Sequence, residues 1–199
     1  MFIETCTNRI IVKHQKKFKY VKNIAEHILD ISQNSIAADA KNIEISIIDS
    51  EKYNLVELKI TDNGKGMSAE KVKQVTDPFY TSRTTRKVGL GIPLLKQNAE
   101  LTGGEFIIES QINKGTTVTA KFIKNSIDIL PFGDIAGSVI LLVVSNPEIE
   151  FVYSHKTDKA QYVFDTVEVK NILGDTPLHL SEVRKYLIDM INENISELY

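Results

Sequence analysis

Several side chains able to bind or react with a ligand are grouped in the first half of this 199-residue chain. Asp30 and Asn34 are four residues apart, so on a helix both side chains project from one face toward the same space. The hexapeptide DNGKGM at 62–67 combines a carboxylate, a cation and two glycines. Taken singly, the first pattern is typical of a polar helix surface and the second of a tight turn. Only their combination indicates a function.

Apolar periodicity predicts the elements that position these residues. A long amphipathic helix is predicted from isoleucines near helical spacing, which are Ile24, Ile28, Ile31 and Ile36. Strands are predicted over FIETCTNRIIVKH at an edge, over the hairpin KNIEISIID and LVELKITD, and over EFIIES and GTTVTAKF. Helices are predicted just after DNGKGM and over IPLLKQNAELT. The predicted fold class is α/β (α+β), a two-layer sandwich of a mixed β-sheet with helices on one face.

The pattern changes after residue 124, where we expect a boundary between a domain at 1–124 and a small C-terminal α+β appendage at 125–199. In this second part IAGSVILLVV predicts a buried helix, EFVYSHKT and QYVFDTV predict a hairpin, and LSEVRKYLIDMINENI predicts a final amphipathic helix. The appendage is therefore expected to run as helix, hairpin and helix.

Composition excludes several classes of protein. The chain is 42% apolar, enough to bury a core, and its 24 basic and 26 acidic residues give a net charge of −2. That charge offers no general attraction to nucleic acid or to an anionic membrane. Cys6 is the one cysteine, so no intramolecular disulfide forms, and the longest apolar stretch, 135–144, is shorter than the ~20 residues of a membrane span. We expect a cytoplasmic protein.

Four patterns occur in an order and spacing that resemble the GHKL ATPase superfamily. That group contains DNA gyrase, the heat-shock chaperone of ninety kilodaltons, bacterial histidine kinases and mismatch-repair ATPases. The patterns are D-x-x-x-N at 30–34, DNGKGM after a strand, a loop ending in VGLGIPLL, and GTT in a late strand. The resemblance covers residues 20–123. It implies a histidine-kinase-like ATP-binding domain of the Bergerat type, with ATP and Mg²⁺ as cofactors.

The resemblance implies that Asp62 recognises adenine. An ionised carboxylate only accepts hydrogen bonds, and the exocyclic amino group of adenine donates one. Gly64 and Gly66 would let the backbone approach the base and ribose without a Cβ clash, and Met67 would add an apolar contact. Thr117 would support Asp62 or an adenine-bound water, although a β-branched residue is nearly as typical of an ordinary strand.

The same resemblance implies where the phosphates and the metal bind. Asn34 would give one amide oxygen to Mg²⁺, which takes its other oxygen ligands from the phosphates and water. Gly89, Leu90 and Gly91 precede a helix whose free amide groups can bind phosphate. The nucleotide is therefore expected between the helix that carries Asn34 and the start of this second helix.

The segment PFYTSRTTRKVG resembles the short ATP lid of histidine kinases, with their phenylalanine box at Pro78 and Phe79. Arg83, Arg86 and Lys87 would bind the phosphates or neutralise charge that develops on the γ-phosphoryl group. A solvated polar loop is the alternative. We therefore predict a catalytic role for Lys87 and a nucleotide contact for Arg83.

Two positions depart from the family pattern. Ala37 stands three residues after the motif asparagine, where histidine kinases usually have a basic residue and gyrase-like members an acid. One expected phosphate contact is therefore missing. Lys87 stands where the glycine motif usually begins with another glycine, so we expect a stiffer and more cationic lid.

Three functions are compatible with the sequence. The first is transfer of the γ-phosphoryl group to a partner protein, which is needed because the four histidines show no H-E-x-x-x-P phosphoacceptor pattern. The second is an ATP-gated switch, in which binding and slow hydrolysis change contacts with another protein or within a homodimer. In this case Asp30 stands where hydrolysing family members have their glutamate base. The third is nucleotide sensing without turnover. We favour the first because the lid resembles the kinases.

Overall fold

The structure is a computed structural model, and it describes residues 23–76, 90–174 and 176–199. In chain order the elements are α1 (Ile24–Ala37), β1 (Asn42–Ser50), β2 (Leu55–Asp62), α2 (Ala69–Val75), α3 (Gly91–Leu101), β3 (Glu105–Gln111), β4 (Gly115–Ile123), α4 (Ile135–Ser145), β5 (Glu150–Thr157), β6 (Gln161–Asp165), α5 (Thr166–Leu173) and α6 (Ser181–Glu197). The edge strand predicted over residues 2–14 lies outside the described residues.

The described strands form one six-stranded sheet in the order β3-β4-β2-β1-β5-β6. Neighbouring strands are antiparallel except β1 and β5, which are parallel. The predicted hairpins β1-β2 and β5-β6 are present, and β3 and β4 form a third. The sheet is therefore mixed, as the sequence predicted.

The core lies between one face of the sheet and the helices. Successive side chains of a strand point to opposite faces, and in β1 Ile43, Ile45 and Ile47 are buried while Glu44 between them is exposed. Helices α1, α3, α4 and α6 contact the sheet and one another. The predicted two-layer arrangement with helices on one face is confirmed.

Residues after 124 are joined closely to the rest of the fold. β5 pairs with β1 along Asn42–Asp49, and α4 packs on α1. The backbone N–H groups of Ile24 and Ala25 donate to the carbonyl oxygens of Pro131 and Phe132 at 3.0 and 2.9 Å. The β5-β6 hairpin therefore continues the main sheet. A domain boundary at residue 124 stays a prediction.

Helix α5 was missed by the sequence analysis, which extended the second strand of the hairpin through Val167. Asp165 ends that strand instead, and its side chain accepts a hydrogen bond from the N–H of Val167 at 2.7 Å. Such an N-cap satisfies a free amide of the first turn and starts a helix.

In the part of the chain that the structure describes, no helix is long and apolar enough to cross a bilayer.

Candidate functional site

Asp62 ends β2, and its carboxylate is held in a fixed orientation by donors from other elements. The hydroxyl of Ser35, on α1, donates to Oδ2 at 2.6 Å. The backbone N–H groups of Gly64 and Thr116 donate to Oδ1 at 2.9 and 3.3 Å. Asp62 is only 9% exposed. Because donors surround it, the carboxylate presents its remaining lone pairs in a defined direction.

The loop that follows Asp62 lies between the end of α1 and the turn between β3 and β4. A Cβ on Gly64 would lie 2.7 Å from the carbonyl oxygen of Ala38. Gly66 has a φ of 62°, and a Cβ there would lie 2.0 Å from the carbonyl oxygen of Gln111. Both glycines therefore allow close packing of protein backbone. Their role in letting the backbone approach a base and ribose stays a prediction.

The cation of the hexapeptide has a local partner. Lys65 forms an ion pair with Asp39, just after α1, and that hydrogen bond lowers the pKa of the Asp39 carboxyl. The backbone N–H of Lys65 also donates to the Ala38 carbonyl oxygen at 2.8 Å, and the Lys65 carbonyl oxygen accepts a hydrogen bond from the Asn113 N–H at 2.7 Å. Lys65 therefore helps to fix the loop.

The structure separates Thr117 from Asp62. Thr117 pairs with Thr61 in the register of β2 and β4, and their hydroxyl oxygens are 3.3 Å apart. Asp62 pairs with Thr116, so strand alternation puts Thr117 on the opposite face of the sheet. The residue that contacts Asp62 is therefore Thr116, which the sequence analysis missed. The order of strands and their register identify it, and GTT alone does not.

Met67 is connected to the same group of residues through Ser110 on β3. The N–H of Met67 donates to Ser110 Oγ at 2.8 Å. Ser110 Oγ also lies 3.0 Å from the carbonyl oxygen of Gly115 and 2.9 Å from Thr116 Oγ1. The backbone of Met67 is thus fixed, and its side chain is half-buried. Sequence reasoning also missed Ser110 and Ser35.

Asp30 and Asn34 lie one turn apart on α1, and Asp30 is next to the start of α3. Asn34 is exposed and Asp30 is half-buried. Gly91 is the first residue of α3, and a Cβ on it would lie 2.9 Å from the Cβ of Asp30. Leu90 is the N-cap, and no side chain among the described residues caps this helix end. The positive end of the α3 dipole therefore lies close to Asp30, which is one turn of α1 from Asn34.

The predicted lid residues cannot be compared with the structure. Arg83, Lys87 and Gly89 lie outside the described residues. Their roles stay predictions. The described part of the site thus consists of the Asp62 region and of the place where α1 meets α3.

The sequence of this chain is similar to the sequences of known ATPases and kinases. Residues 18–126 match the family model described as histidine kinase-, DNA gyrase B-, and HSP90-like ATPase. The chain is similar to the sensor histidine kinase YvrG of Bacillus subtilis (strain 168), at 31% identity over 109 residues, which cover 53% of this chain and 18% of that protein. It is also similar to the signal transduction histidine-protein kinase ArlS of Staphylococcus aureus (strain USA300), at 36% identity over 89 residues, which cover 42% of this chain and 20% of that protein.

The aligned segment thus spans about a fifth of the length of these curated relatives. Among solved structures, the Aquifex aeolicus MutL ATPase domain complexed with ADP is similar at 15% sequence identity and a TM-score of 0.47. That similarity covers 77% of this chain and 70% of that chain.

Proposed function

Since the chain belongs to the histidine kinase-, DNA gyrase B-, and HSP90-like ATPase family, we propose that it binds ATP with Mg²⁺ and transfers the γ-phosphoryl group to a partner protein. The observation that carries the nucleotide part is the oriented carboxylate of Asp62. The kinase part is supported by relatives that are themselves histidine kinases. That a partner accepts the phosphoryl group, and that the lid residues contact the nucleotide, are parts of this proposal.

Asp62 suits an adenine base for a simple reason. Its carboxylate only accepts hydrogen bonds, and adenine has an exocyclic amino donor where guanine has a carbonyl acceptor. Ser35, Gly64 and Thr116 hold both oxygens, so little reorganisation is needed when the base binds. The pocket therefore favours ATP over GTP.

Asn34 fits the role of a magnesium ligand. Asn34 is exposed on α1, one turn from Asp30, whose side chain lies against the start of α3. Mg²⁺ prefers oxygen ligands, keeps several waters and is often held by few protein groups together with substrate phosphates. Bound there, the ion would neutralise phosphate charge. The amides at the start of α3 would bind phosphate oxygens from the other side.

Phosphoryl transfer requires positioning and neutralisation of charge more than covalent chemistry by the protein. An acceptor atom of the partner bonds to the γ-phosphorus while the bond to the leaving oxygen of ADP breaks. A base on the partner would take the proton of the acceptor, so this reaction does not require Asp30. Arg83 and Lys87 would then neutralise the charge that develops.

Slow ATP hydrolysis in a conformational switch is the second candidate. The contact between Asp30 and the start of α3 favours it, because a carboxylate there can orient a water or accept its proton. Transfer and hydrolysis differ in what attacks the phosphorus. Nucleotide sensing is what remains if neither reaction occurs.

The test of nucleotide binding is Asp62→Asn, measured by calorimetry with ATP. Loss of the negative charge, and an amide NH₂ facing the adenine donor, should weaken binding by about 2 kcal/mol or more. Asp189→Asn is the matched control, since it removes an exposed carboxylate from α6, which contacts β6 at the other edge of the sheet, and should leave ATP affinity unchanged. Equal ATP affinity in the wild type and in a folded Asp62→Asn variant would refute adenine recognition by Asp62.

A further inference from the structure

The hydroxyl of Ser110 makes contacts with both segments that surround Asp62. Its oxygen accepts a hydrogen bond from the N–H of Met67. Met67 is at the end of the loop that follows Asp62. The Ser110 oxygen also lies 3.0 Å from the Gly115 carbonyl oxygen and 2.9 Å from Thr116 Oγ1. Thr116 in turn donates its N–H to Asp62. One small side chain therefore links the far end of the loop to the strand that orients the carboxylate.

Counting protons shows what this arrangement can control. A serine hydroxyl has one proton to donate and two lone pairs. The Met67 N–H uses one lone pair, so the proton of Ser110 goes either to the Gly115 carbonyl or to Thr116 Oγ1. If it goes to Thr116, the Thr116 hydroxyl keeps its own proton for a ligand. If it goes to Gly115, Thr116 donates to Ser110 and offers a ligand only lone pairs.

We propose that Ser110 is a positioning residue of the adenine pocket, which fixes the loop at Met67 and sets the direction of the Thr116 hydroxyl beside Asp62. This inference rests on the proposed function, because it assumes that a base binds at Asp62. The chemical group recognised is the amino-bearing edge of adenine. Ser110 does not itself need to touch the nucleotide.

A purely structural role makes a different prediction. Ser110 is also part of the β3-β4 hairpin, pairing with Thr116 in the register, and a weaker hairpin would lower stability and reduce the affinity for different nucleotides in similar proportion. A positioning role acts on recognition of the base. It therefore changes the preference for ATP over purine riboside triphosphate, which lacks the exocyclic amino group.

The experiment measures the affinity for these two nucleotides in the full chain, by calorimetry, together with the melting temperature. Ser110→Ala should weaken ATP binding about tenfold, the scale of one lost hydrogen bond, with a much smaller effect on purine riboside triphosphate. Ser110→Thr keeps a hydroxyl and should recover most of the preference for ATP. Thr119→Ala, on the opposite face of β4 from Thr116, is the control and should match the wild type.

Thr116→Val provides a second route that preserves side-chain shape. If Ser110 acts through Thr116, this variant should also lose preference for ATP, and the double variant should lose less than the sum of the two losses. If Ser110→Ala does not fold, Thr116→Val decides: an unchanged preference overturns the inference.

Asp62→Asn separates this inference from the proposed function. Wild type that binds ATP, with Asp62→Asn defective and Ser110→Ala retaining its preference for ATP, overturns the role of Ser110 alone. Wild type that does not bind ATP removes both. If Ser110→Ala loses affinity for both nucleotides in the same proportion, Ser110 has a structural role, and this result also overturns the inference.

Discussion

Asp30 and Asn34 are one helical turn apart on α1 but have different surroundings. Asn34 is exposed, whereas Asp30 is half-buried against Gly91 at the start of α3. An exposed amide oxygen suits a ligand of a hydrated ion, and a partly enclosed carboxylate suits orientation of an attacking group. The two residues are therefore expected to have separable effects on binding and on turnover.

Asp30→Asn tests whether ATP is hydrolysed or transferred. The change keeps the shape of the side chain, so ATP affinity should remain within a few-fold of the wild type. If water attacks, loss of the base should lower phosphate release by roughly 10²-fold or more. In transfer, the acceptor replaces water and a base on the partner can take the proton, so most labelling of the partner should persist.

The measurement is a single-turnover assay with γ-labelled ATP, which follows phosphate release and protein labelling side by side. Proteins that co-purify with the chain in a non-hydrolysable ATP analogue supply the candidate acceptors. We expect partner labelling by the wild type and by Asp30→Asn. Phosphate release that depends on Asp30, without detectable labelling by the wild type, would contradict transfer and favour the switch.

At the scale of single residues, the sequence predicted those that belong to local motifs. Asp62 and Gly66 stand in a motif at the end of a strand, and the end of a strand can be read from periodicity. Thr116 could not be chosen over Thr117 in the same way, because the choice depends on the register of β2 against β4. Ser110 contacts Met67 across 43 positions of sequence, and no local pattern records such a contact.

At the scale of elements, α1 is fixed by its neighbours. Its first N–H groups bond to the carbonyl oxygens of Pro131 and Phe132, and α4 packs along it. Asn23, the N-cap of α1, lies against Gly133. A Cβ added to Gly133 would be 2.5 Å from the Cγ of Asn23. The start of α3 contacts the same helix at Asp30. Residues beyond 124 therefore help to position the helix that carries the candidate catalytic and metal-binding groups.

Gly91→Ala tests the contact between α3 and α1. The added Cβ would lie 2.9 Å from the Asp30 Cβ, so the helices must separate slightly. We expect the free energy of unfolding to fall by about 1–3 kcal/mol, the usual cost of overpacking. Urea denaturation measures it. Leu101→Ala, an exposed position at the other end of α3, should have little effect.

A double-mutant cycle identifies the cause of that loss. Asp30→Gly removes the Cβ that the new methyl group meets, although glycine inside a helix costs about 1 kcal/mol by itself. Its cost should be smaller in the Gly91→Ala background than in the wild type. Equal costs in both backgrounds would place the strain of Gly91→Ala somewhere other than Asp30.

Periodicity predicted most of the elements but not how distant ones pair. The isoleucine spacing of α1 and the alternation of β1 and β2 were sufficient for their type and near bounds. Helix α5 has only 8 residues and directly follows β6, so its apolar residues looked like a continuing strand. The parallel pairing of β1 with β5 joins segments about a hundred positions apart, and no turn specifies it.

At the scale of the whole molecule, a network of hydrogen-bonded side chains connects Tyr199 to the sheet. The hydroxyl of Tyr199 donates to Asp49 Oδ2 at 2.7 Å and lies 3.0 Å from His155 Nε2, and His155 Nδ1 lies 2.8 Å from the Tyr153 hydroxyl. Lys124, just after β4, forms an ion pair with Asp49. Burial and the hydrogen bond to Asp49 raise the pKa of Tyr199, so its hydroxyl stays a donor.

His155 makes the stability of the protein sensitive to acid. The residue is 1% exposed, and burial lowers its pKa from 6.5 to about 4, although the nearby Asp49 charge opposes the shift. The unfolded chain therefore binds a proton between these two pH values that the folded chain does not, and acid favours unfolding. Above pH 6.5 both states have a neutral His155, so its contribution is complete there and is lost as the pH falls toward 4.

The expected loss for this group is about 3 kcal/mol in the free energy of unfolding over that interval. Urea denaturation at a series of pH values measures it. His155→Gln removes the titrating ring, so its stability should fall less steeply with acid than that of the wild type. The buried His27 is present in the wild type and in His155→Gln, so any effect of His27 cancels when the two are compared. His179→Gln changes an exposed position and should keep the wild-type slope of stability against pH. An identical slope in His155→Gln and wild type would show that other groups cause the acid sensitivity.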